Sequence, residues 1–175
     1  MNIKEFADKS LEFTVKRLAE TVGIALILIS LILVTSLLSY SPDDPNFIFQ
    51  NQNKINNLLG LKGSYISDLF FQTIGLISFL IPITIFFTGL NIFKTKKILI
   101  LLDNLFYIIV YCIFGSLFFS FFHSDSFWLV INGNGGFFGN FINDGIITAI
   151  LNINEKIAYY FLIIITFMIF LISIN

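Results

Sequence analysis

Four long apolar runs divide the chain, at Val22 to Tyr40, Leu69 to Leu90, Ile98 to Phe122 and Ile157 to Ile174, and the charged residues gather between them. At 1.5 Å per residue each run is long enough as a helix to cross a hydrocarbon layer of about 30 Å, the last only just. Lipid offers backbone N–H and C=O groups no partner, so these runs must be helical despite β-branched residues that favour strands in water. No period-2 alternation suggests a barrel. The pattern predicts an all-α, polytopic membrane protein with four transmembrane helices over about 22–40, 69–90, 98–122 and 157–174. Ahead of the first span, Ile3, Phe6, Ala7, Leu11, Val15 and Leu18 recur at helical spacing, with Glu5/Lys9 and Glu12/Lys16 as i,i+4 pairs on the polar face. Residues 1–20 are therefore expected to form a cytoplasmic amphipathic helix lying on the membrane surface, with a partner-binding helix as the alternative, and residues 21–175 to form the four-span domain.

The loops carry distinct punctuation. Tyr40-Ser41-Pro42-Asp43-Asp44-Pro45 places an interfacial aromatic before two prolines and two turn-forming aspartates, so the chain leaves the first span sharply. Asn57-Leu58-Leu59-Gly60-Leu61-Lys62-Gly63-Ser64, just before Asp68, reads as a tight re-entry turn whose glycines allow positive φ or close backbone approach. Pro82, inside the second span, is expected to kink it. In the last loop an apolar run, Phe127 to Ile131, leads into Asn132-Gly133-Asn134-Gly135-Gly136, then Gly139, Phe141, Ile142, Ile146, Ile147, Ile150 and Leu151 at helical spacing. This predicts an extended segment, a turn and an interfacial helix between the third and fourth spans, with Gly135 and Gly139 forming a GxxxG that lets helices approach.

Composition agrees with a membrane chain: 57% hydrophobic and 12% charged residues over 175 positions, against roughly 45–50% and 25% in soluble domains. A net charge of -1 offers no field for gathering polyanions. Orientation follows from the distribution of cations. Lys4, Lys9, Lys16, Arg17, Lys94, Lys96 and Lys97 flank one side, and Lys54, Lys62 and Lys156 the other. By the positive-inside rule both termini are cytoplasmic and the loops Ser41 to Asp68 and His123 to Lys156 face outward. The first run is an uncleaved signal anchor, because residues 1–20 are too charged and acidic for a signal peptide.

Candidate chemistry is sparse. The span interiors hold no ionisable residue, which a transporter or proton relay usually carries; Asp103, with Asn104 beside it, reads as an interfacial polar contact. His123 and Asp125, near Ser116 and Ser120, lack the motif of an intramembrane serine protease. One histidine and one cysteine, Cys112, do not make a metal site, and Cys112 reads as a small buried or lipid-facing hydrophobe. The glycine-rich turn is neither GxGxxG nor a Walker loop. No cofactor and no catalytic activity are expected.

Four sets of residues resemble the N-terminal four-span membrane domain of the FtsK/SpoIIIE family of bacterial DNA translocases. The first is Arg17-x-x-Glu20-x-x-Gly23 at the start of the first span, and the second is Ser39-Tyr40-Ser41-Pro42-Asp43-Asp44-Pro45 at its exit. The densest is Asn57-x-x-Gly60-x-x-Gly63-Ser64-x-x-Ser67-Asp68, continuing through Gln72, Gly75 and Leu80 to Pro82. Gly135-Gly136-x-x-Gly139 resembles the family's glycine turn before its last span. The resemblance covers about residues 17–174, the third span matching only in hydrophobicity.

It implies a membrane anchor at the division septum of the bacterial inner membrane, helping to localise and assemble a hexameric ATP-driven DNA pump, in contact with the lipid bilayer, other copies of itself and other division proteins. The sequence ends at Asn175 with no GxxxxGK[ST], so ATP hydrolysis and DNA translocation are not assigned to these residues, DNA being reached only through a motor domain not present here. A fragment of a longer protein, or a split or truncated gene, is expected. The alternative from another class is a stand-alone small-solute transporter or channel, which would need a polar path through the spans.

Overall fold

The computed structural model describes residues 3–46, 54–126, 128, 129, 131–144 and 154–175, residues 3–7 by backbone only. All regular structure among them is helical: α1 (Ile3–Leu38), α2 (Gly60–Ile74), a 3₁₀ turn (Gly75–Phe79), α3 (Leu80–Thr95), α4 (Ile100–Phe122), α5 (Gly136–Asn143) and α6 (Glu155–Ile174). Among the described residues four stretches are long and apolar enough to cross a membrane: Asp8–Leu38, Gly60–Thr95, Ile100–Phe122 and Glu155–Ile174. Alternating directions leave α1's N-terminal part, the α3–α4 turn and Asn175 at one end, the terminus end, and the longer connections at the other, the loop end. Large apolar side chains such as Leu28, Ile32, Phe106, Ile164 and Phe167 stay exposed on the outside, as a lipid-facing surface requires.

Three expectations change in detail. Of the segment read as a surface helix over 1–20, the described part from Ile3 onward is continuous with the first span, because no proline or turn residue interrupts Lys16 to Val22 and Gly23 is used for packing instead. Its Glu12–Lys16 pair does form, at 2.7 Å, whereas the side chain of Glu5 lies outside the described residues. The second span begins as a helix at Gly60 rather than at Leu69, the Gly60 amide donating back to the Asn57 carbonyl at 2.9 Å as the chain turns in. Its break is the 3₁₀ turn at Gly75–Phe79 and not a kink at Pro82. Pro82 sits in the first turn of α3, where a missing N–H costs no helical bond, and its carbonyl accepts from Ser30 Oγ at 2.8 Å.

Packing is organised as two antiparallel pairs. α1 lies against α3 through Gly23 and Gly89; a Cβ on Gly23 would stand 2.8 Å from the Gly89 carbonyl oxygen, and one on Gly89 2.7 Å from that of Gly23. Small residues at such a crossing let two backbones touch in lipid, where no hydrophobic force drives helices together. α4 lies against α6, burying Leu117, Phe118, Ala158 and Leu162. Hydroxyls tie the pairs: Thr84 Oγ1 is 3.2 Å from Tyr111 OH and 3.0 Å from Ser173 Oγ, and Asn104 Nδ2 donates to Thr88 Oγ1 at 2.7 Å. Tyr111 is thus buried within the bundle and not at an interface. Asn104 makes the polar contact there, its neighbour Asp103 being exposed. Cys112 is buried, as expected of a small hydrophobe.

Candidate functional site

The residues singled out by pattern come together mainly at the loop end. Ser39 ends α1, and its hydroxyl accepts from the Leu58 amide at 3.1 Å. After Pro42, the Asp44 carboxylate accepts from the Asn56 and Asn57 amides, both at 2.8 Å. Asn57 is the hub of the re-entry. Its Nδ2 donates to the carbonyls of Ser36 (2.9 Å) and Ser39 (3.2 Å), and its Oδ1 accepts from the Leu59 amide at 3.0 Å. Two carbonyls at the end of α1 and the Leu59 amide just before α2 are thereby satisfied by one side chain. Gly60, at φ 65, turns the chain into α2. Gly63 is needed for closeness instead: a Cβ there would stand 2.6 Å from that of Leu59. Ser36 Oγ donates to the Gly63 carbonyl at 2.7 Å, and Ser64 Oγ to the Pro45 carbonyl at 2.5 Å.

One turn deeper, Asp68 is buried. Its Oδ1 accepts from Tyr40 OH at 3.4 Å and Gln72 Nε2 at 3.3 Å. Burial, with the nearby Asp68 carboxylate, pushes the Tyr40 phenol up to about 12, so it stays neutral and able to donate. Its ring packs on Phe71, centroids 4.8 Å apart, and meets Trp128 edge-on at 6.0 Å. Trp128 comes from the other loop-end connection, so this aromatic cluster joins both connections.

The glycine turn is inserted into the break of the second span. Gly75 has φ 70 and Gly136 φ 67. The Leu76 amide, free of helical partners at the break, donates to the Asn134 carbonyl at 2.9 Å. A Cβ on Gly75 would stand 2.6 Å from the Asn134 carbonyl carbon, and one on Gly136 2.7 Å from the Ile74 amide nitrogen. Gly135 and Gly139 rest on Ser120 and Ser116 of α4, so the GxxxG does bring α5 against a span. Ser116 Oγ donates to the Ile74 carbonyl at 2.8 Å and Ser120 Oγ to Asn140 Oδ1 at 2.7 Å. Both hydroxyls are therefore structural, and His123 is exposed. Asn132 Nδ2 donates to Gln72 Oε1 at 2.9 Å, while Asn134 Nδ2 donates to the carbonyls of His123 and Asp125 at 2.8 and 2.9 Å. These asparagine bridges, Asn132, Asn134 and Asn140, were not anticipated from sequence; a cluster of asparagines flanking glycines was the available signal.

One expectation for this connection is corrected. Around Phe127 to Ile131 the described residues bend rather than extend, because Ser126 Oγ accepts from the Trp128 and Leu129 amides at 3.1 and 3.0 Å. The predicted interfacial helix is described only as α5, and Ile146, Ile147, Ile150 and Leu151 lie outside the described residues.

Arg17, Glu20 and Gly23 belong to the opposite end. Glu20 pairs with Arg17 at 2.6 Å and with Lys96 at 2.7 Å, tying α1 to the α3–α4 turn. Among the described residues no three His, Cys, Asp or Glu side chains converge as a metal site would require, and no buried side-chain nitrogen or oxygen lacks a partner. The arrangement does structural work: it clasps the two loop-end connections onto a broken span.

The same residues fall within a match to known proteins. The family described as the 4TM region of DNA translocase FtsK/SpoIIIE matches residues 15–173. Among curated relatives, the DNA translocase FtsK of Rickettsia bellii (strain RML369-C) is 41% identical over 69 residues, which is 39% of this chain and 9% of that protein. The DNA translocase FtsK of Rickettsia prowazekii (strain Madrid E) matches with the same identity and coverage, and that of Rickettsia typhi (strain ATCC VR-144 / Wilmington) is 41% identical over 64 residues. The matched stretch spans only about a tenth of these relatives' length. No solved structure matches the chain. With the exit, re-entry and glycine-turn residues all inside the matched region, the chain is a multi-pass membrane protein that belongs to the FtsK/SpoIIIE family through its 4TM region.

Proposed function

We propose that this chain is a membrane anchor and assembly module of a cell-division DNA translocase, seated in the bacterial inner membrane with both termini in the cytoplasm and gathered at the septum. One observation carries the reading: the polar groups of the matched residues are bonded to one another, Asn57 to the end of α1, Asp44 to the re-entry amides and Asn134 to the break in the second span. A solute path or reactive centre keeps polar groups free toward its substrate, whereas a scaffold bonds them internally. The rigid outer face suits contact with other division proteins, and the terminus end delivers chain to the cytoplasm, where a motor meets DNA. Copies assemble as a homo-oligomer, hexameric by analogy with the family. This module is not itself an enzyme.

A fluorescent fusion of the whole chain, imaged in dividing bacteria, tests the proposal. A ring at mid-cell that sharpens as constriction proceeds is expected. Uniform peripheral fluorescence throughout the cycle refutes it.

A further inference from the structure

We infer that the terminus end binds an anionic phospholipid, with its phosphate on the basic α3–α4 turn and an acyl chain in a cleft between α1 and α4. This goes beyond the anchor reading and does not depend on which side of the membrane the terminus end faces. Two recesses lie one above the other along α1. The deeper is an apolar cleft of about 290 Å³ walled by Leu26 of α1, Ile85 of α3, and Leu101, Leu105 and Ile108 of α4. It exists because α1 packs on α3 and α4 on α6, leaving α1 and α4 apart. The polar side chains on its wall, Thr88 and Asn104, bond to each other and present carbon to the opening. The shallower recess is bounded by Leu11 and Val15, by Thr95, and by two carboxylates and two lysines, Asp8, Glu12, Lys16 and Lys96, so the phosphate is placed not inside it but beside it, on the turn. Leu26 lies about three helical turns beyond Val15, so both residues share a face of α1 and the recesses are about 16 Å apart. A polar-rimmed hollow at the interface above a greasy slot is the shape of an amphiphile.

Charge selects the headgroup. Lys94 and Lys97 are exposed on the turn, and Lys96 sits between them with φ 60, a left-handed position that ordinarily favours glycine. Glu20 is shared between Arg17 and Lys96, and farther out Glu12 is neutralised by Lys16. With Lys9 set against Asp8 and Lys16 against Glu12, Lys94, Lys96, Lys97 and Arg17 stand against Glu20 and the exposed Asp103, which leaves a surplus of two positive charges at this end. A phosphodiester there meets two lysines without displacing the Glu20 pairs. A zwitterionic lipid also fills the slot but gains less from the turn.

The test uses the whole chain in vesicles. With Leu105→Trp in a Trp128→Phe background, brominated phosphatidylglycerol is expected to half-quench the fluorescence at about one fifth of the mole fraction that brominated phosphatidylcholine needs. The substitutions Lys94→Gln and Lys97→Gln together are expected to abolish that preference. Equal quenching by both lipids overturns the proposal, as does a preference that survives loss of the lysines. Absence of quenching by either lipid means that no acyl chain enters the cleft and overturns it too. Trp128 supports the aromatic cluster, so a second measurement leaves it in place. Replacing phosphatidylcholine by phosphatidylglycerol is expected to raise the thermal midpoint of the unaltered chain and not that of the double glutamine variant; an equal rise in both refutes the site.

Discussion

Replacing Gly75 by alanine attacks the clasp where backbone meets backbone. At φ 70 and ψ −148 the residue occupies a region open almost only to glycine, and an L side chain held there costs about 1–3 kcal/mol. The new Cβ would also stand 2.6 Å from the Asn134 carbonyl carbon, so the glycine turn must withdraw. The Leu76 amide then loses its 2.9 Å bond to Asn134, and a buried unpaired amide costs about 1–3 kcal/mol more. The total, about 2–6 kcal/mol, is a large part of the roughly 5–15 kcal/mol that holds a domain folded. Gly60→Ala is the control. It shares a positive φ of 65, but a Cβ there meets nothing within 4 Å, so only about 1 kcal/mol is expected. Trp128 is the chain's one tryptophan and packs against Tyr40 and Phe71, so its fluorescence during denaturation in micelles reports directly on the clasp. Gly75→Ala should be less stable than Gly60→Ala by at least about 1 kcal/mol, with emission shifted to the red before unfolding begins. Equal stability of the two variants would show that the glycine turn is not held in the break.

Other consequences follow from the same geometry. Asp44→Ala removes the acceptor for two amides and should cost about 2–3 kcal/mol in the same assay, whereas Asp43→Ala, exposed, should change stability little. Thr84→Val deletes a hydroxyl placed between Tyr111 and Ser173 and should cost only about 1–2 kcal/mol, since hydrogen bonds between membrane helices average below that. The Tyr40 phenol, raised from near 10 to about 12, is neutral in the folded chain. Its contribution is therefore complete below about pH 10 and is lost as pH rises from there toward 12. Ultraviolet titration should show one phenolate appearing near pH 12 that Tyr40→Phe removes; a Tyr40 signal at the ordinary value would contradict its burial beside Asp68.

What was readable in the chain depended on scale. Four helices were legible because lipid imposes a simple rule: a long uncharged run must satisfy its own backbone. The re-entry turn was also legible, since Gly60 and Gly63 are needed for distinct local reasons, one for its φ and one for its missing Cβ. The break in the second span was misplaced because proline is the louder local signal. Gly75 breaks the helix only in company with Asn134 and Gly136, some sixty residues away, and no local pattern carries that partnership. The continuity of α1 was hidden similarly: charges at Lys16, Arg17 and Glu20 look like a boundary, yet side chains that pair with each other and with Lys96 do not interrupt a helix. The hydroxyl contacts of Thr84, Tyr111 and Ser173 were silent because each residue is unremarkable within its own span.

The central claim is a four-span scaffold whose clasped loop end faces outward and whose termini face the cytoplasm. Cysteine labelling in intact cells tests it most directly, with Cys112→Ala as background and single probes at Asp43→Cys, on the exposed exit turn, and Lys97→Cys, on the exposed basic turn. A membrane-impermeant maleimide should label Asp43→Cys in intact cells and Lys97→Cys only after the membrane is opened. The reverse order, or labelling of both from outside, would contradict the account.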